Sequence, residues 1–368
     1  MEQSYRTWRN YLFNADIPFA DKAWTVYRHQ FEHQPVYRRF CEDLQVLPPE
    51  NGNGGTVPDA DSIPMIPIQV FRDATVRADY VEAPQAVFRS SGTTGSNQST
   101  HEIADLRLYL ESCYRGFEQF YDPDEFMLLA WLPGYAENPD SSLVTMIEHL
   151  IQRDNSGKSG FLPLDKSLSG VDLVTFSDVN TVSFLNKRRQ RRYLRRTDES
   201  EKGGGSQDKD RRVMLFGPAF GLLDMVERGA PKLPADAIVV ETGGMKTHRR
   251  EISKEDLRVK LAEGFGLPAA SIHSEYGMAE MCSQAWDTGA GSFKCPPWLR
   301  ITVRNPENPM ELLPPGKEGL IGIMDLANVH SLAFFLTQDR GLELPDGSFQ
   351  VLGRWDQAEL RGCNFLVE

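Results

Sequence analysis

Residues 213–244 read VMLFGPAFGLLDMVERGAPKLPADAIVVETGG, and this stretch decides the class of fold. VMLFG is a short, unbroken apolar run, the pattern of a strand buried on both faces. AFGLLDMVERG follows with helical spacing, and AIVVETGG is a second buried strand that closes on a glycine pair. The same alternation extends outward. AVFRS (86–90) is a short strand, FMLLAWLPGY (126–135) a buried strand and SSLVTMIEHLIQRD (141–154) a helix, while Ser253 to Phe265 forms a further helix. Strands alternating with helices imply an α/β fold built on a mostly parallel sheet flanked by helices on both faces.

The remaining segments are placed around that sheet. Trp24, Tyr27 and Phe31 recur at helical spacing in the first forty residues, which therefore read as one or two amphipathic helices with core aromatics. Pro48 to Pro58, with NGNGG at its centre, is a loop. Ser99 and Glu102 have capping-box spacing and are expected to open a helix that runs through Tyr121. The basic run KRRQRRYLRR (187–196) and the polar residues after it read as a surface insertion over 187–212. After Lys294, short apolar runs (LIGIMDL, SLAFFL, FQVLG) between Pro and Gly suggest hairpins. The expected division is an α/β domain over 1–290 and a small β-rich subdomain over 291–368.

Composition excludes several classes of function. With 368 residues, 40% hydrophobic and 25% charged, the chain can bury a large interior. A net charge of −12 argues against nucleic acid as the main partner, because phosphate backbones are bound by Lys and Arg that displace counterions. No apolar run approaches the ~20 residues of a membrane span. The five cysteines (Cys41, Cys113, Cys282, Cys295, Cys363) show no CxxC pairing, which disfavours a disulfide framework and a zinc site. The amino terminus does not read as a secretory signal, and the cytoplasm is the expected compartment.

The chemistry begins at Ser90, Ser91, Gly92, Thr93, Thr94 and Gly95. Glycines let backbone approach an anion, successive N–H groups wrap phosphate oxygens, and small hydroxyls add donors. The loop lacks the Gly-Lys-Ser/Thr ending of a Walker motif. Alone, it reads equally as a flexible loop. Three further segments follow it in order: EYGMAE (275–280), TQDRG (337–341) and GRWDQAELRG (353–362).

With these four segments in this order, the chain resembles the adenylate-forming superfamily over roughly residues 60 to 368. SSGTTG followed by SxHE, LPGY followed by SSLVTM, and TGGMK look most like its acyl-protein synthetase (LuxE) branch, related to phenylacetate–CoA ligase-like enzymes. The resemblance implies ATP-dependent activation of a carboxylic acid, most naturally a fatty acid, to acyl-AMP and transfer of the acyl group to a thiol. It implies that Ser90–Gly95 holds the ATP phosphates, that Tyr276 and Gly277 lie at the adenine, and that Asp339 and Arg354 hold the ribose. Glu280 is then the Mg²⁺ residue. Such a site suits the reaction, since fixed N–H dipoles, a cation and Mg²⁺ meet the charge that builds on phosphate oxygens.

Two departures from the superfamily pattern matter. The chain ends at Glu368, too early for the usual C-terminal domain with its catalytic lysine, so another cation is needed. Lys246 takes that role in our reading, because Gly243 and Gly244 let backbone come close to a ligand there, with His248 and Arg249 behind it. Ala279 stands where a threonine is more common. For the acyl acceptor, Cys363 follows Arg361 and Gly362, and a nearby guanidinium lowers a thiol pKa from ~8.5 toward neutrality; Cys282 is second choice. The resemblance implies a reductase or carrier protein as onward acceptor, with free CoA as the alternative thiol and a non-catalytic nucleotide-binding scaffold as the reading from another class.

Overall fold

The computed structural model describes residues 2–48, 59–90, 98–133, 138, 140–162, 211–243 and 252–355. Three helices open the chain, α1 (Glu2–Leu12), α2 (Phe19–His33) and α3 (Pro35–Asp43), where the sequence suggested one or two. Pro35 starts α3, and the Gln34 side chain caps it by accepting from the Tyr37 amide at 2.8 Å. Trp24 and Tyr27 are buried, as expected for core aromatics. Gln30 on α2 is buried and satisfied by backbone: its amide donates to the Asn328 and Val329 carbonyls and accepts from the Ala333 N–H.

Next come β1 (Ile66–Pro67), the single-turn α4 (Val70–Asp73), and a hairpin of β2 (Ala86–Arg89) and β3 (Thr100–Ile103). This hairpin corrects the capping-box reading. Thr100, His101, Glu102 and Ile103 alternate between half-buried and buried along a strand, and the helix begins later, as α5 (Leu106–Glu118), with the Asp105 side chain as its cap. His101 and Ile103 have buried partners in the core, and four residues are too few for periodicity to separate strand from helix.

The main sheet has six strands in the order β5–β4–β6–β7–β8–β9: Gly160–Phe161, Phe126–Ala130, Arg212–Pro218, Ile238–Thr242, Ile272–Tyr276 and Ala285–Asp287. The first five are parallel and β9 runs antiparallel to β8. Strand alternation divides the core. Leu128, Ala130, Met214, Phe216 and Val240 pack on the face of α5 and α6 (Ser142–Arg153). Leu129, Val213, Leu215 and Val239 face α7 (Ala219–Glu227) and α8 (Lys254–Phe265). Each of the larger of these side chains contributes about 1.5–3 kcal/mol by burial, and strands buried on both faces read as continuous apolar runs. The insertion expected over 187–212 lies outside the described residues except for its end, which belongs to the fold. Arg212 opens β6, and Arg211 is almost fully buried and paired with Asp124 and Asp154. The Pro48–Pro58 loop is likewise outside them, apart from Pro48.

The second sheet is formed by β10 (Leu299–Arg304), β11 (Glu318–Asp325), β12 (Phe334–Glu343) and β13 (Phe349–Arg354), antiparallel neighbours in sequence order. Its other edge is β1, parallel to β12, so residues 66–67 complete a sheet otherwise made after residue 298. Among the described residues no helix is long and apolar enough to cross a membrane.

Candidate active site

Open parallel sheets bind ligands beyond the carboxyl ends of their strands, and the motif segments gather at that edge. Tyr276 is the last residue of β8. Its ring packs against Phe293 and Phe349, and its hydroxyl donates to Asp339 Oδ2 at 2.8 Å. Asp339 on β12 and Arg354 on β13 are cross-strand partners, and Arg354 Nε donates to Asp339 Oδ1 at 3.0 Å. Before Arg354, Gly353 has φ of 121°, a backbone that glycine adopts without strain. Burial and the Asp339 charge push the Tyr276 hydroxyl pKa well up, so it remains a donor. Tyr276 and Asp339 are buried, whereas the Arg354 side chain is 62% exposed. Residues from EYGMAE, TQDRG and GRWDQAELRG thus form one hydrogen-bonded chain.

Glu280 lies in the segment joining β8 to β9. Its carboxylate accepts from the Ser99 hydroxyl, and its carbonyl accepts from Asn328 Nδ2 at 2.8 Å. Ser99 also closes the neck of the Gly/Ser/Thr loop. The Ser90 N–H donates to the Ser99 carbonyl, and the Ser99 N–H donates to Ser90 Oγ, both at 3.1 Å. The loop therefore springs from a point bonded directly to Glu280. His101 adds a second tie, with Nδ1 2.9 Å from the Ala279 carbonyl and Nε2 2.8 Å from Ser331 Oγ. Burial pushes the His101 pKa down to about 4, so the ring is neutral; the carbonyl requires the proton on Nδ1, and Nε2 accepts from the serine. Asp325 holds the following turn by accepting from the amides of Cys282 and Ser283 and from the Ser283 hydroxyl.

Of the residues singled out in the sequence, Ser90, Gly243, Tyr276, Gly277, Glu280, Asp339 and Arg354 are described, and Tyr276, Asp339 and Arg354 touch in sequence. Gly243 follows the last residue of β7 with φ of 73°. Gly277 has no room for a side chain, because a Cβ there would overlap Glu275 Oε1. Ser91, Gly92, Thr93, Thr94, Gly95, Gly244, Lys246, His248, Arg249 and Cys363 lie outside the described residues. Cys282 is buried, and desolvation pushes its thiol pKa well above the usual value, which suits a core residue and not a thiolate nucleophile.

The sequence reading quoted Ser99 and His101 in SxHE and Glu275 in EYGMAE without giving them a part in the site, and it did not single out Asp325, Asn328 or Glu241. The alternation of Thr100 to Ile103 is the local signal for the strand that places His101. A cleft of about 280 Å³ lies at the opposite edge of the sheet, lined in part by Tyr121, Arg212 and His273, and holds none of the motif residues.

No protein-family model matches the chain. It is 22% identical over 357 residues to the long-chain-fatty-acid–luciferin-component ligase of Vibrio harveyi, covering 92% of this chain and 84% of that protein. The fold is similar to that of 2-hydroxyisobutyryl-CoA ligase in an open conformation with 2-HIB-AMP and CoA, at TM-score 0.57 and 15% identity over 92% of this chain and 69% of that one. The same enzyme in its thioesterification state matches at TM-score 0.58 and 16% identity, over 92% and 68%. The α/β architecture is similar to that of this CoA ligase, and the likeness to the luciferin-component ligase agrees with the acyl-protein synthetase resemblance read from the motifs.

Proposed function

We propose that the chain is an acid–thiol ligase of the acyl-protein synthetase type, activating a fatty acid with ATP and passing the acyl group to a protein thiol. The observation that carries this reading is the Tyr276–Asp339–Arg354 chain at the carboxyl edge of the sheet, beside a Glu280 tied to the neck of the Ser90–Gly95 loop. In the first step a carboxylate oxygen of the acid attacks the α-phosphorus. One P–O bond forms, the bond to pyrophosphate breaks, and acyl-AMP remains. A thiolate then attacks the acyl carbon, a C–S bond forms, and AMP leaves with the electron pair of the C–O bond.

Each residue has a part suited to its surroundings. Asp339, held by Tyr276 and Arg354, presents a fixed carboxylate to the ribose hydroxyls. The Ser90–Gly95 loop offers N–H and hydroxyl donors to the phosphates, and Lys246 supplies the cation for charge developing at the α-phosphate. Mg²⁺ fits at Glu280, because this ion commonly takes one or two carboxylates and completes its shell with substrate phosphates and water. Among the described residues no group of three or more His, Cys, Asp or Glu could hold a metal on its own. Bound there, the ion would offset charge on the phosphate oxygens.

Cys363 is the proposed acceptor. The protein incubated with ATP, Mg²⁺ and a ladder of fatty acids, without CoA, is expected to exchange pyrophosphate into ATP and to carry a hydroxylamine-labile thioester on its C-terminal peptide. Cys363→Ser retains the exchange and loses the label, since a thiolate is much the better nucleophile at neutral pH. The similarity to a fold that holds CoA favours one second reading. A wild-type protein that never labels, yet makes acyl-CoA when CoA is added, is a CoA ligase; one that shows no exchange with any acid is not an adenylating enzyme.

A further inference from the structure

Two buried carboxylates lie at the last paired positions of β7 and β8, outside every role assigned above. In the register of the strands Glu241 faces Ser274 and Thr242 faces Glu275. Each carboxyl is bonded across the gap by the hydroxyl of the other strand, Thr242 to Glu275 Oε2 and Ser274 to Glu241. Alternation puts the two glutamates on opposite faces of the sheet. Glu241 lies on the side of α8, toward Lys254 and Arg258, and Arg258 is itself engaged by Asp287. Glu275 lies on the side of α5, where Cys113 and Gln284 are its neighbours. Among the described residues no Lys, Arg or His forms an ion pair with Glu275. The backbone that leaves this point is the site itself: Gly243 follows Thr242, and Tyr276 and Gly277 follow Glu275, with the absent Gly277 side chain making room for Glu275 Oε1.

Resting on the nucleotide site proposed above, we propose that Glu275 is a positioning residue that works in its neutral form, joining the ends of β7 and β8 so that the backbone around Gly243 and Tyr276–Gly277 keeps the shape that receives the nucleotide. An ionised carboxylate buried with one hydroxyl donor and no cation in ion-pair contact among the described residues is costly. Relief requires it to turn toward solvent past Gly277, which spreads the strand ends and brings negative charge into the nucleotide site. The balance of the groups around it favours the neutral form. Burial is the largest influence and the Glu241 charge adds to it, while the Thr242 hydroxyl and Lys254 oppose them, and the Glu275 pKa is pushed up to about 7. Cys113 stays a neutral thiol, its pKa pushed up to about 12 by burial. Asp287 is taken up by Arg258 and by the amides of Gly289, Ala290 and Gly291.

The test is calorimetric titration of MgATP into the wild type and Glu275→Gln from pH 6 to pH 8.5. Taking the ratio of wild-type Kd to variant Kd at each pH cancels the titration of ATP. If the nucleotide bound the neutral form alone, Kd would rise about tenfold per pH unit above the midpoint. A strong preference is expected to raise the ratio about fivefold to tenfold across the range, with the variant holding its affinity at alkaline pH. A ratio that stays constant overturns the proposal while leaving the ATP site standing. Absence of ATP binding in both proteins at every pH overturns the nucleotide reading and this proposal with it. If Glu275→Gln does not fold, Thr242→Val carries the test. Loss of the hydroxyl that favours the ionised carboxylate moves the midpoint of the Kd profile to higher pH, and an unmoved midpoint refutes the role.

Discussion

Replacing Asp339 with Ala removes the acceptor of two bonds that differ in worth. The Tyr276 hydroxyl is buried in an aromatic wall and has Asp339 as its partner at 2.8 Å. Leaving it unpaired costs about 1–3 kcal/mol. The Arg354 bond is 3.0 Å long, but its side chain is 62% exposed, so solvent screening holds its share below about 1 kcal/mol. The ligand-free variant is therefore expected to lose about 2–3 kcal/mol in urea unfolding. Most of the loss should be shared with Tyr276→Phe in a double-mutant cycle, since both changes break one bond. The effect on ATP is larger in proportion. Two charge-assisted bonds from the ribose hydroxyls, at about 1.5 kcal/mol each, correspond to about a hundredfold in affinity. At an ATP concentration that is 100 times the wild-type Kd, the stabilisation by ligand of about 2.7 kcal/mol should fall to about 0.4 kcal/mol. Thermal and urea unfolding with and without MgATP measure both terms. A variant with weakened ligand-free stability but an undiminished ATP increment would refute the ribose assignment and leave Asp339 as a structural anchor.

Ser99→Ala takes away the hydroxyl on Glu280, and it is expected to weaken the dependence of ATP binding on Mg²⁺ severalfold while secondary structure by circular dichroism is unchanged; an identical Mg²⁺ titration in variant and wild type would count against Glu280 as the metal residue. Lys246→Ala is expected to slow adenylate formation by on the order of 10²-fold with a much smaller change in ATP affinity, whereas equal losses in both would make it an ordinary phosphate contact. Asp325 gives a pH signature. Burial pushes its pKa up to about 6 from 3.8, so the native state favours the neutral form, and the stability this adds is full below about 3.8 and lost as pH rises through 6, about 3 kcal/mol in all. Asp325→Asn should flatten that part of the stability profile measured by urea midpoint between pH 4 and 7, and a variant with the wild-type slope would show that Asp325 is ionised throughout.

Much of the architecture was already written in local patterns. Short apolar runs such as FMLLA and AIVV read as strands buried on both faces of a parallel sheet, and helices such as Ser142–Arg153 carry their own caps and periodicity. The resemblance carried by the order of four short motifs also singled out Tyr276, Asp339 and Arg354. What it could not supply was anything that depends on a partner far along the chain. Ser99 to Glu102 has the spacing of a helix cap, yet it became a strand because AVFR offers hydrogen-bonding edges and the core takes up His101 and Ile103. That Ser99 would meet a glutamate 181 residues away, or that Asp325 would hold amides 42 and 43 residues before it, has no local trace. Glu275 is the plainest case. In the sequence it is an ordinary acidic residue before a tyrosine, and only the pairing of β7 with β8 and the closing of the core around it turn it into a buried acid poised near neutrality, because desolvation is a property of the folded surroundings and not of the residue.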